Sequence, residues 1–262
     1  MMLQPPATPK TPLGTSPPSR RARAAPWLLL ALLAALAWAA VVAEARAMGD
    51  MAGMTGMAPP PSFALFLAVW LAMMVAMMFP ALAPVVALVA ALGRGRRGAG
   101  QSAPSLPLFL AGYLAIWGAI GVGADLLARG VPALGMAAPG LRAYSPLVAG
   151  GALVLAGLYQ WSPLKATCLR HCRSPMGALL HHWRDGRLGA FRMGLGHGAY
   201  CLGCCAGLML VLFAVGLMNL AWMAVLAALI FAEKVVPRGP LAGKIAGVAL
   251  VAFGLGVAIA GL

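Results

Sequence analysis

Most of this chain's coordination chemistry is concentrated in nine residues. The run His197-Gly-Ala-Tyr-Cys201-Leu-Gly-Cys204-Cys205 holds one of four histidines and three of five cysteines. On a helix, residues advance by about 100° each, so relative to His197 the cysteines at 201, 204 and 205 fall near 40°, −20° and 80°. His197/Cys201 and Cys201/Cys205 are i, i+4 pairs, neighbours on a helix surface. Imidazole and thiolate along one stripe suit a soft metal, Cu(I) or Zn(II). Met209 lies four residues beyond Cys205 and extends the stripe. A lone cysteine would read as a small apolar residue. Three on one face beside a histidine argue for metal or redox chemistry.

Other sulfur clusters accompany it. In WLAMMVAMMFP, Met73/Met77 and Met74/Met78 are i, i+4 pairs ahead of Pro80. Thioethers are soft ligands for Cu(I), although methionine also fills ordinary cores. In MGDMAGMTGM, Met48, Met51, Met54 and Met57 recur every third residue of a Gly-rich stretch, with Asp50 between them. This reads as a flexible loop whose thioethers have no core to fill, hence as an outer site for Cu(I) or Ag(I). In CLRHCRSP, Cys168 and Cys172 flank His171, with His181 and His182 further on. Basic neighbours Lys165, Arg170 and Arg173 would favour thiolates there, which suits metal exchange or thiol redox. The bland alternative is a basic loop with incidental cysteines. Glu233-Lys234 reads as a local interfacial pair at a helix end, with proton or ion passage as the alternative. Asp125, near the outer end of the third run, carries the same two readings.

The elements that must carry these residues are apolar helices. Of the 262 residues, 62% are hydrophobic and 9% charged, with a mean hydropathy of +0.91. Soluble domains average about a quarter charged residues. Runs long enough to cross a bilayer, about 20 residues, lie near 27–45, 63–92, 106–128, 144–161, 196–218, 220–236 and 241–261. The run at 220–236 is the shortest. The expected fold is all-α, a polytopic transmembrane bundle of six or seven helices. Of the 19 Lys and Arg, 16 fall on alternate connections, leaving Arg46, Arg129 and Arg142 on the others. Basic residues favour the cytoplasmic side, so the N-terminus is expected inside. The net charge of +14 is then a topology signal. No nucleic-acid motif, P-loop, dinucleotide fingerprint or Ser/His/Asp arrangement is visible.

Residues 1–26 read as a disordered cytoplasmic tail. Residues 27–47 read as an anchor or a signal peptide, and 48–62 as the outer Met-rich loop. Residues 63–262 read as a six-helix metal-binding domain with a cytoplasmic loop at 162–195, which includes a short amphipathic helix near 176–183. Counting 1.5 Å per residue, Met73–Met78 fall about 15–22 Å below the outer surface and Cys201–Cys205 about 16–22 Å below it. The two sulfur clusters share a level, which places a His/Cys/Met site between the second and fifth runs.

Four of these motifs together resemble a bacterial family of predicted metal-binding integral membrane proteins, a domain of unknown function. They are MMVAMMFP, HGAYCLGCCAGLM, YQWSPLKATCLRHCRSP and MNLAWMAVLAALIFAEK. The resemblance covers about Phe63 to Leu262. It implies an inner-membrane protein with His197, Cys201, Cys204 and Cys205 as metal ligands. Ala206 departs from the bulky aromatic expected after the double cysteine, which loosens packing without altering the ligands.

The expected function is Cu(I) handling by transport or delivery, with zinc as the alternative metal. The expected partners are the bilayer and a metallochaperone or cuproprotein, with no nucleic acid. A membrane thiol–disulfide oxidoreductase using Cys201/Cys204 is the second reading, and a structural or assembly subunit the third.

Overall fold

In the computed structural model of the protein, residues 20–55, 61–98, 103–137, 145–174, 186–215 and 219–260 are described. Among them the chain is all-α, as expected. The helices are α1 (Arg20–Thr55), α2 (Phe63–Gly98), α3 (Leu106–Ala137), α4 (Ser145–Tyr159), α5 (Pro163–Arg173), α6 (Gly186–Val215), α7 (Leu220–Val235) and α8 (Gly239–Ala260). Five of these, α1, α2, α3, α6 and α8, are long and apolar enough to cross a membrane. The bent pair α4 and α5 makes a sixth if it counts as one span.

Helix α1 lies along α2, α3 along α6, and α4 along α8. Helix α2 also meets α3 and α7, while α5 is folded against α6 and α7. Close backbone approach brings α3 and α6 together. A methyl group at Gly112 would run into the Phe191 carbonyl, and one at Gly194 into the Phe109 carbonyl. Small residues at such crossings let apolar helices bury backbone against backbone. The core between them holds Met74, Met77, Phe109, Tyr113, Trp117, Leu208 and Ile230, all essentially inaccessible.

Three expectations change. The first is the polar loop 162–195. Its start is helix α5, bent 60° from α4, and its end is the first turns of α6, which begins at Gly186 rather than Gly196. Ser162 caps α5, its hydroxyl accepting from the Lys165 N–H at 3.1 Å, and Pro163 occupies the first turn. Both are helix-start signals. Lys165, Cys168, Leu169 and Cys172 are the buried residues of α5. They follow i, i+3, i+4, i+7 spacing, an amphipathic stripe facing the core. The short helix expected near 176–183 lies outside the described residues.

The second is the Met-rich stretch. Helix α1 runs on through Thr55, so Met48, Met51 and Met54 are helical rather than in a flexible loop. Met57 and the side chains of Met51 and Met54 lie outside the described residues. The third is the basic tail: α1 begins at Arg20, inside the stretch read as disordered.

Candidate metal centre

The centre is built on α6. The Sγ atoms of Cys201, Cys204 and Cys205 all lie within 4.8 Å of one another, and all three residues are buried. Helical geometry brings them together, since i, i+3 and i+4 residues share a face. The Cys204 and Cys205 thiols both donate to the Cys201 carbonyl, at 3.1 and 2.9 Å. All five cysteines are free thiols.

Helix α5 supplies a fourth sulfur. Cys172 Sγ is 3.7 Å from Cys204 Sγ. The loop cysteines expected at a separate exchange site therefore adjoin the main one, because the α5 stripe is buried. Cys168 lies against the α6 backbone at Gly203, where a Cβ would stand 2.5 Å from its sulfur. The Tyr159 hydroxyl donates to the Gly203 carbonyl at 2.5 Å. His171 stays at the rim, stacked on Tyr200 with ring centroids 4.2 Å apart.

Helix α7 supplies two charged residues. The Lys234 ammonium donates to Cys201 Sγ at 2.9 Å and lies 3.9 Å from Met78 Sδ. Glu233 turns the other way and binds the Lys165 ammonium at 2.6 and 2.8 Å. Lys165 also donates to Gln160 Oε1. The expected local Glu233-Lys234 pair does not form, because consecutive helical residues point about 100° apart and do not face each other. Arg173 fixes the end of α5 to the carbonyls of Glu233, Val236 and Pro237.

His197 stands outside the three-thiol group. Its ring packs beside those of Phe109 and Tyr113, with centroids 6.2 and 6.1 Å away. The Tyr113 hydroxyl takes the place beside Cys201 instead, with Oη 3.0 Å from Sγ. Met73, Met74, Met77 and Met78 are all buried in the core. Of these, Met78 approaches the thiols through the Lys234 ammonium. Asp125 pairs with Arg129 at 2.8 Å near the other end of the bundle.

The donor set tests well against a soft cation. Three thiolates each about 2.3 Å from one metal would lie about 4 Å apart, and the observed group meets that with small rotations. Sulfur-only donors exclude hard cations such as Mg²⁺ and Ca²⁺ and favour Cu(I) or Zn(II). Residues 67–257 match the PpoB2 copper chaperone family. The chain belongs to that family. The match spans α2 to α8 and therefore contains every residue of the centre. No curated protein and no solved structure matches the chain. Membership of a copper chaperone family and a buried cysteine cluster that could hold a metal ion together fit metal binding, with copper the metal the family suggests.

Spacing along single helices did not reveal Lys234, Glu233 and Tyr113 as neighbours of the centre. Lys165 was legible as the first member of the α5 stripe. Lys234 and Tyr113 reach Cys201 from other helices, across 33 and 88 residues of sequence. One test follows from His197. Replacing it with alanine is expected to leave copper stoichiometry and sulfur-only X-ray absorption unchanged. Loss of bound copper would put the imidazole back among the ligands.

Proposed function

We propose that the protein is a membrane-embedded Cu(I) chaperone that holds its cargo on Cys201, Cys204 and Cys205 and passes it out through Cys172. The observation that carries this is the buried group of three thiols with a fourth sulfur from α5 at 3.7 Å. The adjoining sulfur offers a transfer step: an ion can bind Cys172 before it leaves Cys204, so it is never without ligands. Family membership supports copper as the cargo, and sulfur-only ligation suits the Cu(I) state. The apolar helices support residence in a bilayer, and the Lys/Arg pattern supports an inner membrane with the N-terminus inside. In that orientation α5 and the end of α7 face the cytoplasm. Delivery to a cuproprotein or metallochaperone is the proposed use. No ATPase motif is visible in the sequence, so release would be driven by exchange.

The test is anaerobic purification in detergent, loading with Cu(I), and measurement of metal by mass spectrometry. One tightly held copper per chain with sulfur-only X-ray absorption is the expected result. Zinc in its place, or no stoichiometric metal after loading, would overturn the proposal. Thiol–disulfide exchange draws on the same 3.7 Å separation, now with Cys172 and Cys204 as the pair. The two readings part on one point: bound Cu(I) should protect these thiols from oxidation if copper is the cargo.

A further inference from the structure

A pocket lies at the opposite end of the bundle from the thiols. The last turns of α1, the start of α2 and the far half of α3 line a partly open cavity of about 210 Å³. Its wall includes Glu44, Met48, Trp70, Met73, Asp125 and Arg129. Glu44 and Asp125 are two of only five acidic residues in the chain, and both sit in helical windows apolar enough to cross a membrane. Carboxylates at such positions are costly and are candidates for a functional role.

The charges around the cavity do not cancel. Arg129 Nε donates to both Asp125 oxygens, at 2.9 and 2.8 Å, and its Nη2 donates to the Pro61 carbonyl at 2.8 Å. That pair is neutral and braced. Glu44 makes no hydrogen bond or ion pair among the described residues. The charged residues of the wall therefore sum to one formal negative charge, which matches a monovalent cation. The two thioethers, Met48 from α1 and Met73 from α2, select a soft one.

Met73 also connects the cavity to the interior. It lines the cavity yet is only 3% exposed. Met77 follows at i+4, and Met74 and Met78 repeat the step one residue on, so thioethers descend one face of α2. The series ends at Met78, whose sulfur is 3.9 Å from the Lys234 ammonium, itself 2.9 Å from Cys201.

We propose that the cavity between α1, α2 and α3 is a second, weaker site for a soft monovalent cation, held by Met48, Met73 and Glu44, from which the thiol centre is loaded along the α2 methionines. This rests on the copper-chaperone reading for its direction of transfer, but the site itself can be tested separately.

The probe is Ag(I), a redox-inert stand-in for Cu(I), titrated into the full chain in detergent and followed by equilibrium dialysis with mass spectrometry. Wild type should bind one tight and one weaker equivalent. The M48L/M73L variant, which conserves volume, should keep the tight equivalent and lose the weaker one, with affinity down at least about tenfold. It should also load the thiols about tenfold more slowly. E44Q should weaken the second equivalent alone. The C204A variant should lose the tight equivalent and keep the weaker. A wild type with only the tight equivalent overturns the cavity site. So does a weaker equivalent that survives in M48L/M73L, which would assign it to other methionines. Absence of the tight equivalent alone counts against the thiol centre and leaves the cavity site standing.

Discussion

Cys204→Ala is expected to weaken Cu(I) binding by more than about 100-fold, beyond the 10–100-fold typical of losing an outer-shell partner, with the chain still folded. Cys204 sits where the two halves of the centre meet. It belongs to the α6 group of three, and it is the thiol that faces Cys172 across 3.7 Å. Its removal leaves Cys201 and Cys205 on one side and Cys172 on the other, with no sulfur between them. The structural cost is small, because one buried atom is deleted and alanine is the best helix former. Cys172→Ala should behave differently. It leaves the α6 group intact, so equilibrium affinity falls less while transfer of copper to an external chelator slows. Competition against a chromophoric Cu(I) chelator measures affinity and release rate in one titration. Equal losses in the two variants would show that Cys172 is simply a ligand and has no separate role in release.

Glu233→Gln is expected to destabilise the protein by about 3–5 kcal/mol, the usual cost of removing one partner from a buried ion pair. The side chains of Lys165 and Glu233 are 4% and 2% exposed. With the carboxylate gone, the Lys165 ammonium keeps only neutral amide oxygens as partners, and its buried charge is left uncompensated. The loss has a specific location. Lys165 is the first buried residue of α5 and Cys172 the last, so loosening the first frees the second. Thermal unfolding in detergent should show the lower stability. Maleimide labelling of Cys172 should accelerate before global unfolding begins. The double variant K165M/E233L should recover much of the loss, since a buried pair can be replaced by apolar residues at little cost. A Glu233→Gln protein as stable as wild type, with Cys172 equally protected, would show that Arg173 and its three carbonyl bonds hold α5 without the ion pair.

The parts of the molecule legible in sequence are those written within one helix. Apolar runs announced the long helices, and 3.6-residue spacing put Cys201, Cys204 and Cys205 on one face. The same spacing put His197 beside them, but it is not in the group of three thiols. It shares the angular sector of the cysteines, and its imidazole packs beside the rings of Phe109 and Tyr113 from α3. The α5 stripe was also readable, with Ser162-Pro163 as its start and Lys165, Cys168, Leu169 and Cys172 at helical spacing. The surrounding basic residues masked it, because they made the segment read as a solvated loop. Lys234 was not readable. A lysine next to a glutamate at a helix end reads as a local pair. Only the packing of α7 against α2 and α6 turns its ammonium toward sulfur.

The centre also carries information about the order of assembly. Its sulfurs come from α5 and α6, and the residues that brace them sit at the end of α7, where Glu233 holds one helix and Lys234 contacts the other. A chain folded only as far as α6 would present thiols without their clamp. The clamp is therefore complete only once α7 has joined the bundle. In a nascent or truncated chain the thiols of α5 and α6 would lack the Glu233 and Lys234 contacts that brace them.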